Sequence, residues 1–561
     1  MTKDLDLADI QGNIVRGYGR YGYPVGRDFF LHVHDSQAGR MFVNSLFPFI
    51  TTATRWKPLQ GESHYPQEAR LDRPNETVNI GFTHSGLKAL GLPTRTLSRM
   101  PPEFIDGMAK RFHILGDVEG SDPKNWDEIW QKNDGETAVH IWVSINFLAK
   151  PASETGGKLE LIGDPEAKTE WLKKLVSAAK IVSRKTGRPT RKPGVSILAG
   201  HGPDKALYQD TNVVMRERDG ETFMTAQEHF GYRDGIGDPV FEGQFDESVE
   251  TARLPGRGKL SPDGEWQVLA TGEFLLGHPD ESQEIPIAFL PPEVARNGTF
   301  MAYRKLHENV GSFHEWTRQS GKEFAKVMGM EEDEGIATLK AKMVGRWEDG
   351  TPLLKADTQA KQKEFRAKFL KDLKNASTSG EKAKIYQRET DFVYADDFGG
   401  LKCPYSAHLR RANTRDMLDP NVALGLGKAD SGSALNKRRR ILRRGLPYGS
   451  SNGDAGRDDA EHGIIFIAVC ASLFRQFEFL QQQWIQYGLD FNAGNDTCPV
   501  IGHHPKKGGA KFVVPSDPEG DKPPFIATDI PPLVETRGGD YFFVPGITAL
   551  RMIAMGIVDP T

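Results

Sequence analysis

Apolar positions along this chain fall into repeating strand and helix periods. FFLHVH (29–34) is an apolar run of strand length, and SQAGRMFVNSLFPFI (36–50) carries its apolar side chains at helical spacing. VNIGFT (78–83), then THSGLKALG closed by Gly91 with Pro93 after it, repeat the same order. AVHIWVSINFL (138–148) predicts a further strand ahead of a polar, charged helix over 165–184. The first half therefore predicts an α+β unit in which helices back strands. FMAYRKLHENVGSFHEWTRQ (300–319) again runs from a strand into an amphipathic helix, and GIIFIAVCASLFRQFEFLQQQWI (463–485) does so once more. The second half predicts a similar unit in tandem, the two parts covering 1–245 and 246–561. Between these patterns, 331–390 is lysine-rich, weakly apolar and broken by Gly and Pro, and predicts an insertion carrying solvated helices of its own.

Composition changes this picture little. Of 561 residues, 26% are charged and 38% hydrophobic, and the net charge is −4, an ordinary balance that gives no pull toward nucleic acid or an anionic membrane. Cys403, Cys470 and Cys498 are far apart and odd in number, which implies neither a disulfide framework nor a Cys-rich metal site, and points to a reducing compartment. The opening MTKDLDLADIQGN is acidic where a secretory signal needs an apolar core, and no stretch approaches 18 uninterrupted apolar residues. A cytoplasmic protein, free of membranes, is expected.

Three stretches carry candidate chemistry. In LKCPYSAHLRRANTR (401–415), His408 has an apolar approach with Arg410, Arg411 and Arg415 just after it. An axial iron ligand needs a neutral imidazole nitrogen facing a flat apolar cofactor, with cations nearby to neutralise the cofactor's carboxylates. A hydrogen-bonded histidine of no special role is the competing reading. HFGYRDGIGDP (229–239) surrounds Asp234 and Asp238 with glycines that let main chain approach a ligand closely, although D-G and G-D-P are also common turn signals. KRRRILRRGLPYGS (437–450) has six basic residues in its first eight, which invites a nucleic-acid reading, but Ile441 and Leu442 interrupt the run and GLPYG follows. It reads as a basic strand end turning into a loop, with Arg443 worth most in a desolvated pocket where negative charge develops. His32 and His34 share one strand face, a metal-binding arrangement that is more often simply a strand face.

Together the three stretches resemble the dye-decolorizing peroxidase family. GYRDG is similar to its GxxDG signature, CPYSAHLRRANTR to its proximal-histidine segment and ILRRGLPYG to its distal-arginine segment, in the family's order. Similarity extends through ADIQGNIVRGY, VNIGFTHSGLKALGLP, GEFLLGHPDE, FMAYRKLHENVGSF and QFEFLQQQW, so it covers nearly the whole chain and is closest to the larger members with long insertions.

The resemblance implies two tandem ferredoxin-like α+β domains of the dimeric α+β barrel type, with haem b in the C-terminal one. It makes His408 the proximal iron ligand, Asp234 the distal acid/base, Arg443 the distal arginine and Arg415 the contact to a haem propionate. Gly235 and Ile236 are to lie against the haem, and Ile464 and Phe466 to line its distal face. Thr414 stands where the family usually has proline, and Gly237 and Asp238 where it often has Ser-Asn, which bears on loop geometry. The proximal imidazole should donate its second N–H to a carboxylate, for which Asp496 is the candidate by position and Glu478 the runner-up. The implied reaction uses hydrogen peroxide to make a ferryl haem, which then oxidises dyes, phenols or other aromatic donors one electron at a time. An aspartate as acid/base predicts activity favouring acidic pH. The alternatives are a haem carrier or iron-releasing protein on the same fold, and a non-haem metal site from His503, His504 and Asp496. Oligomeric state and reductant stay open.

Overall fold

The computed structural model describes residues 5–57, 72–131, 135–183, 185–285, 289, 291–418, 432–449, 456–491, 493–505 and 509–558. Ten strands among these residues form one sheet: β1 (Val25–Val33), β2 (Glu76–Phe82), β3 (Ile141–Phe147), β4 (Val195–Ile197), β5 (Gln209–Asn212), β6 (Thr299–Glu308), β7 (Leu442–Arg444), β8 (Pro447–Gly449), β9 (His462–Cys470) and β10 (Val534–Val544). β1, β2 and β3 are buried along almost their whole length, which is why they read as continuous apolar runs rather than alternating ones.

The sheet order is β7-β9-β6-β10-β2-β3-β1-β4, with β8 beside β9 and β5 beside β1, and its registered pairs are antiparallel. Each half follows a strand–helix–strand–strand–helix–strand path and orders its four principal strands 2-3-1-4. In the first half the helices are α1 (Ser36–Leu46) and α2 (Pro165–Ala178). Both start on an aspartate cap: Asp35 accepts the Ala38 N–H at 2.9 Å, and Asp164 accepts those of Glu166 and Ala167 at 3.0 Å. In the second half they are α3 (Val310–Met328) and a segment of wide π-type turns over Leu473–Glu478 and Leu480–Ile485. This is the tandem ferredoxin-like architecture expected. The halves meet edge to edge where Phe543 of β10 pairs with Phe82 of β2.

One apolar core covers the sheet, and a second gathers α3, α4 (Glu332–Val344), the segment around Cys403–Met417 and the π-type turns. Ile441 packs against both. The expectation of solvated helices across 331–390 holds for α5 (Gln359–Asn375), whose one buried residue is Phe369. It fails for α4, which buries Leu339, Met343 and Val344 against α3. Glycine is the reason: a Cβ at Gly335 would lie 2.4 Å from the Ala325 Cβ, and one at Gly321 2.6 Å from the Ile336 Cα, so the two helices approach more closely than any larger residue permits. No helix among the described residues is long and apolar enough to cross a membrane.

Candidate functional site

The loop carrying Asp234 leaves no strand or helix of its own; it is fixed by its side chain. Asp234 Oδ1 accepts the N–H groups of Ile236 at 3.0 Å and Gly237 at 3.2 Å, a local turn that needs the positive φ of +76° at Gly237. Oδ2 faces two guanidinium groups, Arg443 Nη2 at 3.1 Å and Arg20 in a shorter ion pair. Burial alone would raise the pKa of this carboxyl, but Arg443, Arg20 and the two N–H groups outweigh it and hold Asp234 well below the usual carboxylate range. Protein surrounds the group, yet 41% of the side-chain surface of Asp234 and 35% of that of Arg443 stays open. The pair therefore keeps one open side.

Strand pairing sets what else faces that side. Arg443 on β7 pairs with Ala468 on β9, so it shares a face with Phe466 and Ile464 two and four residues along. Phe466 and Ile464 are half-buried, whereas Ile465 and Ile467 between and beside them are buried in the sheet's core. Arg443 is braced by donating from Nη2 to the Gly237 carbonyl at 2.8 Å and from its backbone N–H to Asp238 Oδ1 at 3.0 Å. Asp238 also pairs with Arg444 at 2.8 Å, and Arg444 donates to the carbonyls of Asn13 and Ile14 at 2.6 Å. Ile236 and Gly235 lie buried under the loop; the place of a side chain at Gly235 is taken by Arg346 Nη1 and the Gly350 carbonyl, each 2.7 Å from a Cβ built there.

His408 opens the short helix α6 (His408–Ala412) in the second core, half-buried, with its Nδ1 3.3 Å from Cys498 Sγ. The carboxylates expected beside it are elsewhere. Asp496 faces Lys511 at 3.4 Å, its own carbonyl accepting from Arg411 at 2.8 Å; Glu478 is taken by Arg111 at 2.7 Å and the Tyr541 hydroxyl at 2.8 Å. Neither Asp496 nor Glu478 is bonded to the imidazole in this structure; the backbone bonds of the 496–504 loop turn Cys498 toward it instead. His504 is also committed, its two ring nitrogens reaching the carbonyls of Pro531 and Cys498 at 2.9 Å each.

The arginines after His408 divide cleanly. Arg410 is satisfied by Asp397 at 3.1 Å and lies between the rings of Tyr394 and Tyr405, and Arg411 donates to carbonyls of Trp484 and Asp496. Both are held by protein groups, Arg411 keeping one nitrogen, Nε, without a partner among the described residues. Arg415 differs: it is 1% exposed, stacks 3.7 Å over Phe392 and donates through Nη1 to the carbonyls of Thr390 and Phe392, while its Nε and Nη2 find no partner among the described residues. Burial lowers its pKa to about 10. Two orphaned nitrogens, with three N–H groups between them, are costly on a buried cation and fit an anion that binds there.

Sequence reasoning missed Arg20 and Cys498. Arg20 sits in GYGRYGY with no motif to mark it, and its partner is 214 residues away. Cys498 had been counted only as one of three isolated thiols; all three are free and buried.

Comparison with known proteins agrees with this layout. Residues 9–145 match the family described as DyP dimeric alpha+beta barrel domain, and residues 279–518 the one described as Dyp-type peroxidase, C-terminal. "Peroxidase 2" of Mycetinis scorodonius is 25% identical, with 98% of this chain and 87% of that protein covered. "Multifunctional dye peroxidase DyP2" of an Amycolatopsis species is 29% identical over 73% of this chain and 79% of its own length. Among solved structures, a dye-decolorizing peroxidase in complex with 2,6-dimethoxyphenol superposes with a TM-score of 0.65 at 22% identity, covering 98% of this chain and 100% of that one. A fungal DyP-type peroxidase from Auricularia auricula-judae gives 0.64 at 20% identity, covering 99% and 100%. These relatives are of one class, all named as peroxidases. This chain belongs to the dye-decolorizing peroxidase family.

Proposed function

We propose that the protein is a haem peroxidase that takes hydrogen peroxide as oxidant and dyes, phenols or other aromatic donors as reductants. The observation that carries the reading is the Asp234–Arg443 pair, on the sheet face it shares with Phe466 and Ile464. The residues present fit haem b: the orphaned Nε and Nη2 of Arg415 suit a propionate, His408 keeps Nε2 for the iron while Nδ1 is engaged, and Phe466 and Ile464 offer an apolar wall. Bound haem supplies the iron that receives peroxide and takes up its two oxidising equivalents. The second α+β unit holds the group, and the first ends near residue 245, after the Asp234 loop.

The chain's own residues do the proton and charge work. Heterolysis of the O–O bond requires a proton to pass from the inner to the outer peroxide oxygen. Asp234 accepts it as a carboxylate and returns it, directly or through a water in the open space before it. Arg443, fixed by the Gly237 carbonyl and Asp238, stabilises negative charge growing on the departing oxygen. Phe466 and Ile464 exclude bulky donors from that space, so large dyes give up electrons at the surface. Three buried free thiols support a reducing setting for this reading.

An absorption spectrum of haem-loaded protein before and after one equivalent of peroxide tests the reading: a histidine-ligated ferric spectrum that converts within the mixing time and returns on adding a phenolic dye. If Asp234→Asn and Arg443→Leu both left the conversion rate unchanged, a haem carrier would be the better reading.

Two further results are expected. In Arg415→Met, transfer of haem to a scavenging protein is about 10- to 100-fold faster, as befits loss of a charge-assisted contact of about 1.5–3 kcal/mol; an unchanged rate removes the propionate from Arg415. Arg20→Leu tests the pH dependence. A carboxyl whose pKa is depressed keeps its base form above that value and loses it as pH falls through it, so the wild-type acid limb for the peroxide reaction lies below about 3.9, the ordinary aspartate value. Removing Arg20 weakens the depression and moves the limb upward in a pH–rate profile; a limb that stays or falls counts against the assignment of Asp234.

A further inference from the structure

We propose that Cys498 is the residue that positions the proximal imidazole: its Sγ accepts the Nδ1–H of His408, which fixes the tautomer that leaves Nε2 free for iron. The inference rests on His408 being the axial ligand. It concerns the group behind the ligand, where a carboxylate was expected.

The geometry at the ring is specific. Cys498 Sγ is 3.3 Å from His408 Nδ1, in the range of an N–H···S bond, and both carboxylates that chemistry would nominate are turned to other partners. The thiol cannot drift. Its backbone N–H donates to the Ile485 carbonyl at 2.7 Å, and its carbonyl accepts from Gly502 N–H at 3.0 Å and His504 Nε2 at 2.9 Å. Ile485 ends the π-type turns, whose Trp484 carbonyl also receives Arg411 of the His408 helix at 3.0 Å. One wide-turned segment therefore locates both the helix bearing the ligand and the strand of chain bearing its acceptor. Cys498 is fully buried, so no water competes for Nδ1 from that side.

A sulfur acceptor has consequences for the iron. Sulfur accepts weakly, so the imidazole gains less anionic character than it would from a carboxylate, and donates less electron density to the metal. The bond orients the ring more than it charges it.

The test has a part that needs no haem. In haem-free, ¹⁵N-histidine-labelled protein, the His408 resonances, assigned by comparison with His408→Gln, should show a single Nδ1–H tautomer in the wild type and in Cys498→Ser, and a mixture in Cys498→Ala. In loaded protein, Cys498→Ala should lose haem about 10- to 100-fold faster, the usual cost of removing an outer partner, and Cys498→Asp should lower the iron midpoint potential relative to wild type. A wild-type tautomer and potential in Cys498→Ala overturn the proposal, and a change in both on Asp496→Asn assigns the role to Asp496. Should Cys498→Ala not fold, a tautomer mixture in the wild type or a potential in Cys498→Asp equal to wild type overturns it as well. Wild-type haem ligation persisting in His408→Ala would instead refute His408 as ligand, leaving the tautomer measurement to decide on Cys498.

Discussion

Haem-loaded Asp234→Asn is expected to react with hydrogen peroxide about 10²- to 10⁴-fold more slowly than wild type, the range that a positioned general acid–base contributes. The reason is local. Oδ2 lies between Arg443 and Arg20, and Oδ1 on the N–H groups of Ile236 and Gly237, so the wild-type carboxylate stays ionised and in place even at acidic pH. An amide keeps the shape but cannot take a proton, and one of its N–H groups must face a guanidinium or a backbone donor. Rapid-mixing absorbance gives the rate, and the resting haem spectrum, which the proposed reading assigns to His408, should change little. A rate within twofold of wild type would sink the role given to Asp234. A depressed carboxyl pKa also agrees with a reaction that favours acidic pH, since the base survives where most carboxylates have been protonated.

His408→Ala is expected to remove the histidine-ligated spectrum altogether and to cut the peroxide reaction by more than the 10- to 100-fold that outer partners carry. Other imidazoles of the described residues are committed elsewhere. His504 gives both ring nitrogens to carbonyls, and the His32, His34 and His140 rings cluster with one another on the sheet of the first unit. The vacated space beside Cys498 is imidazole-shaped, so adding free imidazole should restore part of the spectrum. Full retention of the wild-type spectrum in His408→Ala would place the ligand elsewhere.

The strands were legible because burial over most of their length leaves short apolar runs, FFL in β1, IWV in β3 and IIFIAV in β9. α4 was not, because its polar composition suggested solvent and its glycine suggested a break, whereas close approach to α3 is what Gly321 and Gly335 make room for. In the site, Asp234, Arg443 and Arg415 could be read from motifs whose residues stand near each other in sequence. Arg20 could not, because long-range electrostatic pairing leaves no local spacing. The neighbour of the His408 ring was not legible for a different reason: chemistry named a residue type, a carboxylate, but the direction of side chains in 496–504 is set by bonds to Ile485, Arg411 and His504 that no periodicity reveals.

The position of β10 has a bearing on how the molecule comes into being. Of the ten strands it is translated after the other nine, yet it lies in the middle of the sheet, with β6 on one side and β2 on the other. A chain leaving the ribosome therefore cannot close the sheet until that strand is made and inserts between β6 and β2. Loss of Val534–Val544 would accordingly part the sheet at its centre, leaving the halves to contacts such as Lys305 with Asp127 and Arg444 with the Asn13 carbonyl, where loss of β4 or β7 would only trim an edge.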